Sequence, residues 1–84
     1  MVGEAISLYE NGEFEKAYKI FLREAMKNRD SEAQLYLGMM YEAGEYVEES
    51  RDKAIEWYRK AHRQNNLDAG FRMQSLSSTV NCRC

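Results

Sequence analysis

The sequence predicts an all-α fold in which antiparallel helix pairs stack on one another, about five helices in a single domain over residues 1–76. Three observations carry that expectation. Proline is absent from all 84 residues, so the commonest helix breaker is missing and segmentation falls to glycine, asparagine and serine. Apolar residues recur at i, i+3, i+4 and i+7, which is the period of a half-buried helix rather than a strand. A helix, loop, helix unit also occurs twice. Ala5 and Leu8 recur thirty-three residues later as Gly38 and Tyr41, while Ala17 and Phe21 recur thirty-seven residues later as Ala54 and Tyr58. The four-residue difference is a longer loop in the second copy. Such a unit cannot bury its apolar face alone, so neighbouring units must stack as a solenoid.

The first helix runs from about Val2 to Asn11 and stops at Gly12, a residue that tolerates the left-handed conformation at a helix end. The second spans about Phe14 to Asn28. Its residues Phe14, Ala17, Tyr18, Phe21, Leu22 and Ala25 form one broad buried stripe, with Glu15 and Lys19 paired on the wet side. Ser31 and Gln34 make a capping box, placing the start of the third helix at about Glu32 and its end at Ala43, before Gly44. Ser50 caps the fourth, about Arg51 to Gln64, which turns Ala54, Trp57, Tyr58 and Ala61 inward and a Glu56–Lys60 pair outward. Asn65 and Asn66 break it. Leu67 to about Leu76 is a fifth helix, either the opening of a third unit or a cap. The first unit thus occupies residues 1–30 and the second 31–66. From Ser75 the helical period is lost, and residues 77–84 are expected to be a disordered tail, as in a chain cut or joined at that point.

Composition narrows the function classes. A formal charge of -2 and a pI near 5.4 argue against nucleic-acid binding, which needs basic residues gathered on one face. With 44% hydrophobic and 31% charged residues of mixed sign, the chain is of folded rather than disordered composition. No stretch reaches the roughly 20 apolar residues of a membrane span, and the start lacks a leader's basic and apolar segments. A cytoplasmic location without membrane contact is expected. Cys82 and Cys84 are the two cysteines, so no disulfide can staple helices within the folded region.

The second unit supports a closer comparison. Ala33, Leu37, Gly38, Tyr41, Gly44, Val47, Lys53, Ala54, Trp57, Tyr58, Lys60 and Ala61 fall at the spacing of the Sel-one-like repeat family, relatives of the tetratricopeptide repeats, and the unit closely resembles that family. Tyr46 at the second loop glycine, Ser50 at the loop aspartate and His62 at the last alanine depart from it. The first unit, with Leu8, Gly12, Phe14, Ala17 and Phe21 around a shorter loop, looks more like a tetratricopeptide repeat. The resemblance implies a right-handed α-α superhelix used by adaptor and scaffold proteins, binding proteins without chemistry of their own.

Physical reasoning gives the same residues a packing role. Gly38 and Ala54 are small so that two helices approach closely, and Tyr41, Trp57 and Tyr58 fill the space around them. Ala5, Leu8, Ala17, Phe21, Leu37 and Ala61 complete the expected packing set. Catalysis is not expected: there is one histidine, His62, at a helix end where a cation is favoured by the dipole, and no cofactor or metal cluster is indicated. In stacked hairpins the first helix of each unit lines the inner face, so Ile6, Tyr9, Glu32, Leu35, Met39, Glu42 and Phe71 are the candidates to touch a peptide or helix of a partner. The competing reading buries Leu35, Met39 and Phe71 against the next unit. Two rivals to an interaction module are a fragment that self-associates as a homo-oligomer through uncovered ends and, remotely, a cell-wall-related hydrolase or binder, for which nucleophile and base are missing.

Overall fold

Five helices follow one another, α1 (Val2–Glu10), α2 (Phe14–Lys27), α3 (Ser31–Ala43), α4 (Arg51–His62) and α5 (Leu67–Asn81). The computed structural model describes the backbone of residues 2–81 and the side chains of 2–76. Three residues separate α1 from α2 and seven separate α3 from α4, giving the four-residue difference read from the internal repeat. Substantial contacts run between successive helices, α1 with α2, α2 with α3, α3 with α4 and α4 with α5. This nearest-neighbour order is the signature of a stacked helical repeat.

Local chemistry sets the boundaries. Gly12 takes φ +85 after α1, and Gly44 takes φ +71 after α3 with its N–H donated to the Met40 carbonyl; both are left-handed helix stops that glycine tolerates without strain. Tyr46 adopts φ +69, a left-handed conformation that a glycine would reach freely. A non-glycine residue there costs about 1–2 kcal/mol, and the Tyr46 ring, 5.4 Å from that of Tyr18, recovers part of it through aromatic contact.

The start of α3 differs from expectation. Asp30, not Ser31, is the cap: its Oδ1 accepts from the N–H groups of Glu32 and Ala33 at 2.9 and 3.1 Å. Gln34, expected to close a capping box, is instead 5% exposed and accepts from Gln64 Nε2 at 3.0 Å. Ser50 caps α4 as expected, accepting from the Lys53 N–H, and the Glu15–Lys19 pair forms at 3.3 Å. The Glu56–Lys60 pair does not form among the described residues, because the Lys60 ammonium lies 4.9 Å above the Trp57 ring. At the C-terminus, α5 continues to Asn81, beyond the expected end near Leu76. Residues 77–81 contain no proline or glycine, and serine and threonine are tolerated within a helix. Cys82 and Cys84 lie outside the described residues.

Two clusters make the core. Ala5, Ala17, Phe21, Ala33, Leu37 and Met40 join α1, α2 and α3, and Leu35, Ala54, Tyr58, Ala61 and Ala69 join α3, α4 and α5. The repeat pairs behave alike, since Ala17, Ala54, Phe21 and Tyr58 are all without solvent exposure. Gly38 does provide a close approach, but against the ring of Tyr58 rather than Ala54. A Cβ there would lie 2.6 Å from Tyr58 Cδ1, well inside van der Waals contact.

Candidate functional site

The seven positions expected to line an inner groove separate into different environments. Tyr9 sits in an aromatic group, 5.3 Å from Phe14, 6.5 Å from Phe21 and 5.4 Å from Tyr36 between ring centroids. Its hydroxyl donates to Glu45 Oε1 at 2.8 Å. Burial, then that bond, push its phenol up to about 12. Ile6 packs partly buried on the first cluster, Leu35 belongs to the second, and Met39 packs against the second. Glu42 accepts from the Tyr58 hydroxyl at 2.6 Å, so its carboxylate is engaged in joining α3 to α4. Glu32 and Phe71 remain exposed. Leu35 and Met39 thus pack on the α3–α5 cluster, and Phe71 is 73% exposed. Tyr9, named from its position on a first helix, is held within the hairpin packing.

Two features of the first-helix face escaped the sequence. Tyr36 stacks on Phe21 at 4.9 Å and 7°, and its phenol is raised by burial first, then by Glu32, Glu10 and Asp68, against a lowering effect of Arg72. Charges from α1, α3 and α5 thus meet around one hydroxyl. Arg72 also exerts a lowering influence on the Tyr58 phenol, while its Nε is buried without a hydrogen-bond partner.

Two clefts lie away from most of these positions. A cleft of about 390 Å³ opens between α4 and α5, bounded by His62, Leu67, Gly70, Phe71 and Met73. Leu67 and Phe71 are both 73% exposed. A second cleft, about 440 Å³, lies between the C-terminal turns of α2 and α4. Arg29, Lys60 and Arg63 edge it, Met26 and Trp57 form apolar walls, and Gln34 and Gln64 lie at its base. Phe71 is the one predicted groove residue that borders either space. Leu67 could have been found from its i, i+4 relation to Phe71, and the basic residues from their shared place at the ends of the two second helices, Arg29 and Arg63 being thirty-four residues apart.

The described residues contain no group of three His, Cys, Asp or Glu able to hold a metal ion. No helix among them is long and apolar enough to cross a membrane. Helix hairpins joined through small-residue seams and stacked in chain order define a tetratricopeptide-like helical repeat protein. Residues 31–66 match the family model of the Sel1 repeat, and the chain carries a Sel1-like repeat over that stretch. Repeats of this family are generally protein-interaction modules. No curated protein and no solved structure matches the chain.

Proposed function

We propose that the chain is an adaptor without catalytic chemistry of its own, holding an amphipathic helix or peptide of a partner protein along α5. The observation that carries this reading is Leu67 and Phe71, two large apolar side chains one helical turn apart and each 73% exposed. Keeping that area in water costs about 25 cal/mol per Å², and exposed apolar surface beside a cleft marks interaction sites. The α4–α5 cleft gives an anchor side chain depth, as in helix-in-groove recognition. This surface retains Phe71 from the expected groove and adds Leu67 beside it.

A second reading rests on the same patch. Two copies of the chain would cover each other's Leu67 and Phe71 through a self-complementary contact. Phe71→Glu separates the possibilities, because an exposed side chain changes stability little. The intact chain should recover a partner from its source cells and the variant should lose it, with helical circular dichroism and melting temperature unchanged. Equal recovery by both proteins sinks the reading. A mass in sedimentation that doubles with concentration, and is restored to one chain by Phe71→Glu, assigns the patch to a second copy.

A further inference from the structure

The cleft between the C-terminal turns of α2 and α4 has a chemistry unlike the rest of this net-acidic chain. Arg29, Lys60 and Arg63, all exposed, edge its mouth, and no carboxylate is among its lining residues. Two acids of α2 and the α2–α3 turn serve local hydrogen bonds: Asp30 caps α3 through its Oδ1, and Glu24 Oε1 accepts from Asn28 Nδ2 at 2.6 Å. Three cationic groups gathered at one opening raise the local concentration of anions. The cleft is also apolar within. Met26 is 66% exposed, and the half-buried Trp57 presents its ring beneath the Lys60 ammonium at 4.9 Å.

The base is rigid. Gln64 Nε2 donates to the Arg29 carbonyl at 2.6 Å and to Gln34 Oε1 at 3.0 Å, which ties the ends of α2, α3 and α4 together beneath the opening. A volume of about 440 Å³ falls within the range of small ligand sites and admits one bulky side chain.

We infer that this cleft is a second binding site, separate from the α5 patch, for an acidic peptide segment of a partner protein bearing one bulky apolar side chain. The apolar side chain enters between Met26 and Trp57, and flanking carboxylates pair with Arg29, Lys60 and Arg63. Guanidinium groups suit this role because their planar fork matches a carboxylate. Engagement of Lys60 by a carboxylate draws the ammonium off the indole. The sequence contains one tryptophan, so its fluorescence reports on this cleft alone.

The experiment titrates the intact chain with an acidic peptide of glutamates and aspartates around a central leucine, free of aromatic residues, and follows Trp57 emission. A saturable change is expected, weakening as salt is raised because exposed charges are screened within about 10 Å at 0.1 M. K60E/R63E should weaken binding by tenfold or more, whereas K19E/R51E, with the same change in net charge away from the cleft, should bind as the intact chain does. Circular dichroism checks that each variant is folded, and Lys60→Ala, removing one exposed charge, gives an intermediate loss. No saturable change, an equal response to a peptide with lysine in place of each acid, or equal binding by K60E/R63E overturns the inference. The Glu45–Glu49 loop of a second copy, acidic and carrying the 51% exposed Tyr46, is a rival occupant. Sedimentation showing assembly that K60E/R63E abolishes would assign the cleft to that loop instead. Phe71→Glu should leave the titration unchanged, so failure at one site is distinguishable from failure at the other.

Discussion

Gly38 shows how one missing atom shapes a helix pair. Alanine is normally up to about 1 kcal/mol better than glycine within a helix. Here its Cβ would press on the ring of Tyr58, which has no solvent exposure and whose hydroxyl is tied to Glu42. The ring cannot swing aside without losing that bond. Overpacking costs about 1–3 kcal/mol, enough to outweigh the propensity gain. Gly38→Ala is therefore expected to destabilise by about 1–2 kcal/mol. Gly3→Ala, where a Cβ meets nothing within 4 Å, should be neutral or stabilising by up to about 1 kcal/mol. Urea unfolding of the two variants checks the pair, and a shift in the same direction for both would contradict the close approach. The sequence marked Gly38 as a place of close approach because only a small residue suits a seam, but which ring crosses it depends on the rotation of α4.

At the level of the element, the start of α3 separates two adjacent candidate caps. Aspartate and serine are both strong capping residues, and only the extended backbone of Asp30, φ -69 and ψ 121, lets its side chain reach the free N–H groups. Asp30→Ala should cost about 1 kcal/mol, and Ser31→Ala should stay within about 0.5 kcal/mol. Equal losses in thermal melts would restore the serine capping box. Helix existence was legible throughout, since the apolar spacing of α2 and the stops at Gly12 and Gly44 are local. The ends were legible to within a residue or two except in α5, where loss of apolar periodicity from Ser75 does not itself unwind a helix. The candidate site was less legible. Tyr9 and Leu35 lie on first helices as expected, yet whether such residues face solvent is decided by the neighbouring hairpin. Arg29 and Arg63 are visible in the sequence, but their meeting across one cleft requires α2 and α4 to lie side by side.

Across the whole molecule, tyrosine hydroxyls join one element to the next. Tyr9 donates to Glu45, Tyr18 and Tyr41 share a hydrogen bond at 3.2 Å, and Tyr58 donates to Glu42. These bonds link α1 to the α3–α4 loop, α2 to α3, and α4 to α3. Burial is the leading cause that raises each phenol, with the hydrogen bond next, so Tyr9 and Tyr18 are pushed up to about 12 and Tyr58 is raised further in the same direction. An unfolded tyrosine ionises near 10. Above that pH the unfolded chain has released protons that the folded chain still holds, and stability falls as pH rises. The contribution from Tyr9 and Tyr18 is complete below about pH 10 and disappears between about 10 and about 12. Because each helix depends on its neighbours, loosening these joints should unfold the rod along its length. Phenolate absorbance and far-ultraviolet circular dichroism, followed through an alkaline titration, should therefore change together above pH 10, with Tyr18→Phe retaining helix to higher pH relative to its own neutral stability. Tyrosine ionisation completed near pH 10 with the helical signal intact would show that these hydroxyls do not hold the stack.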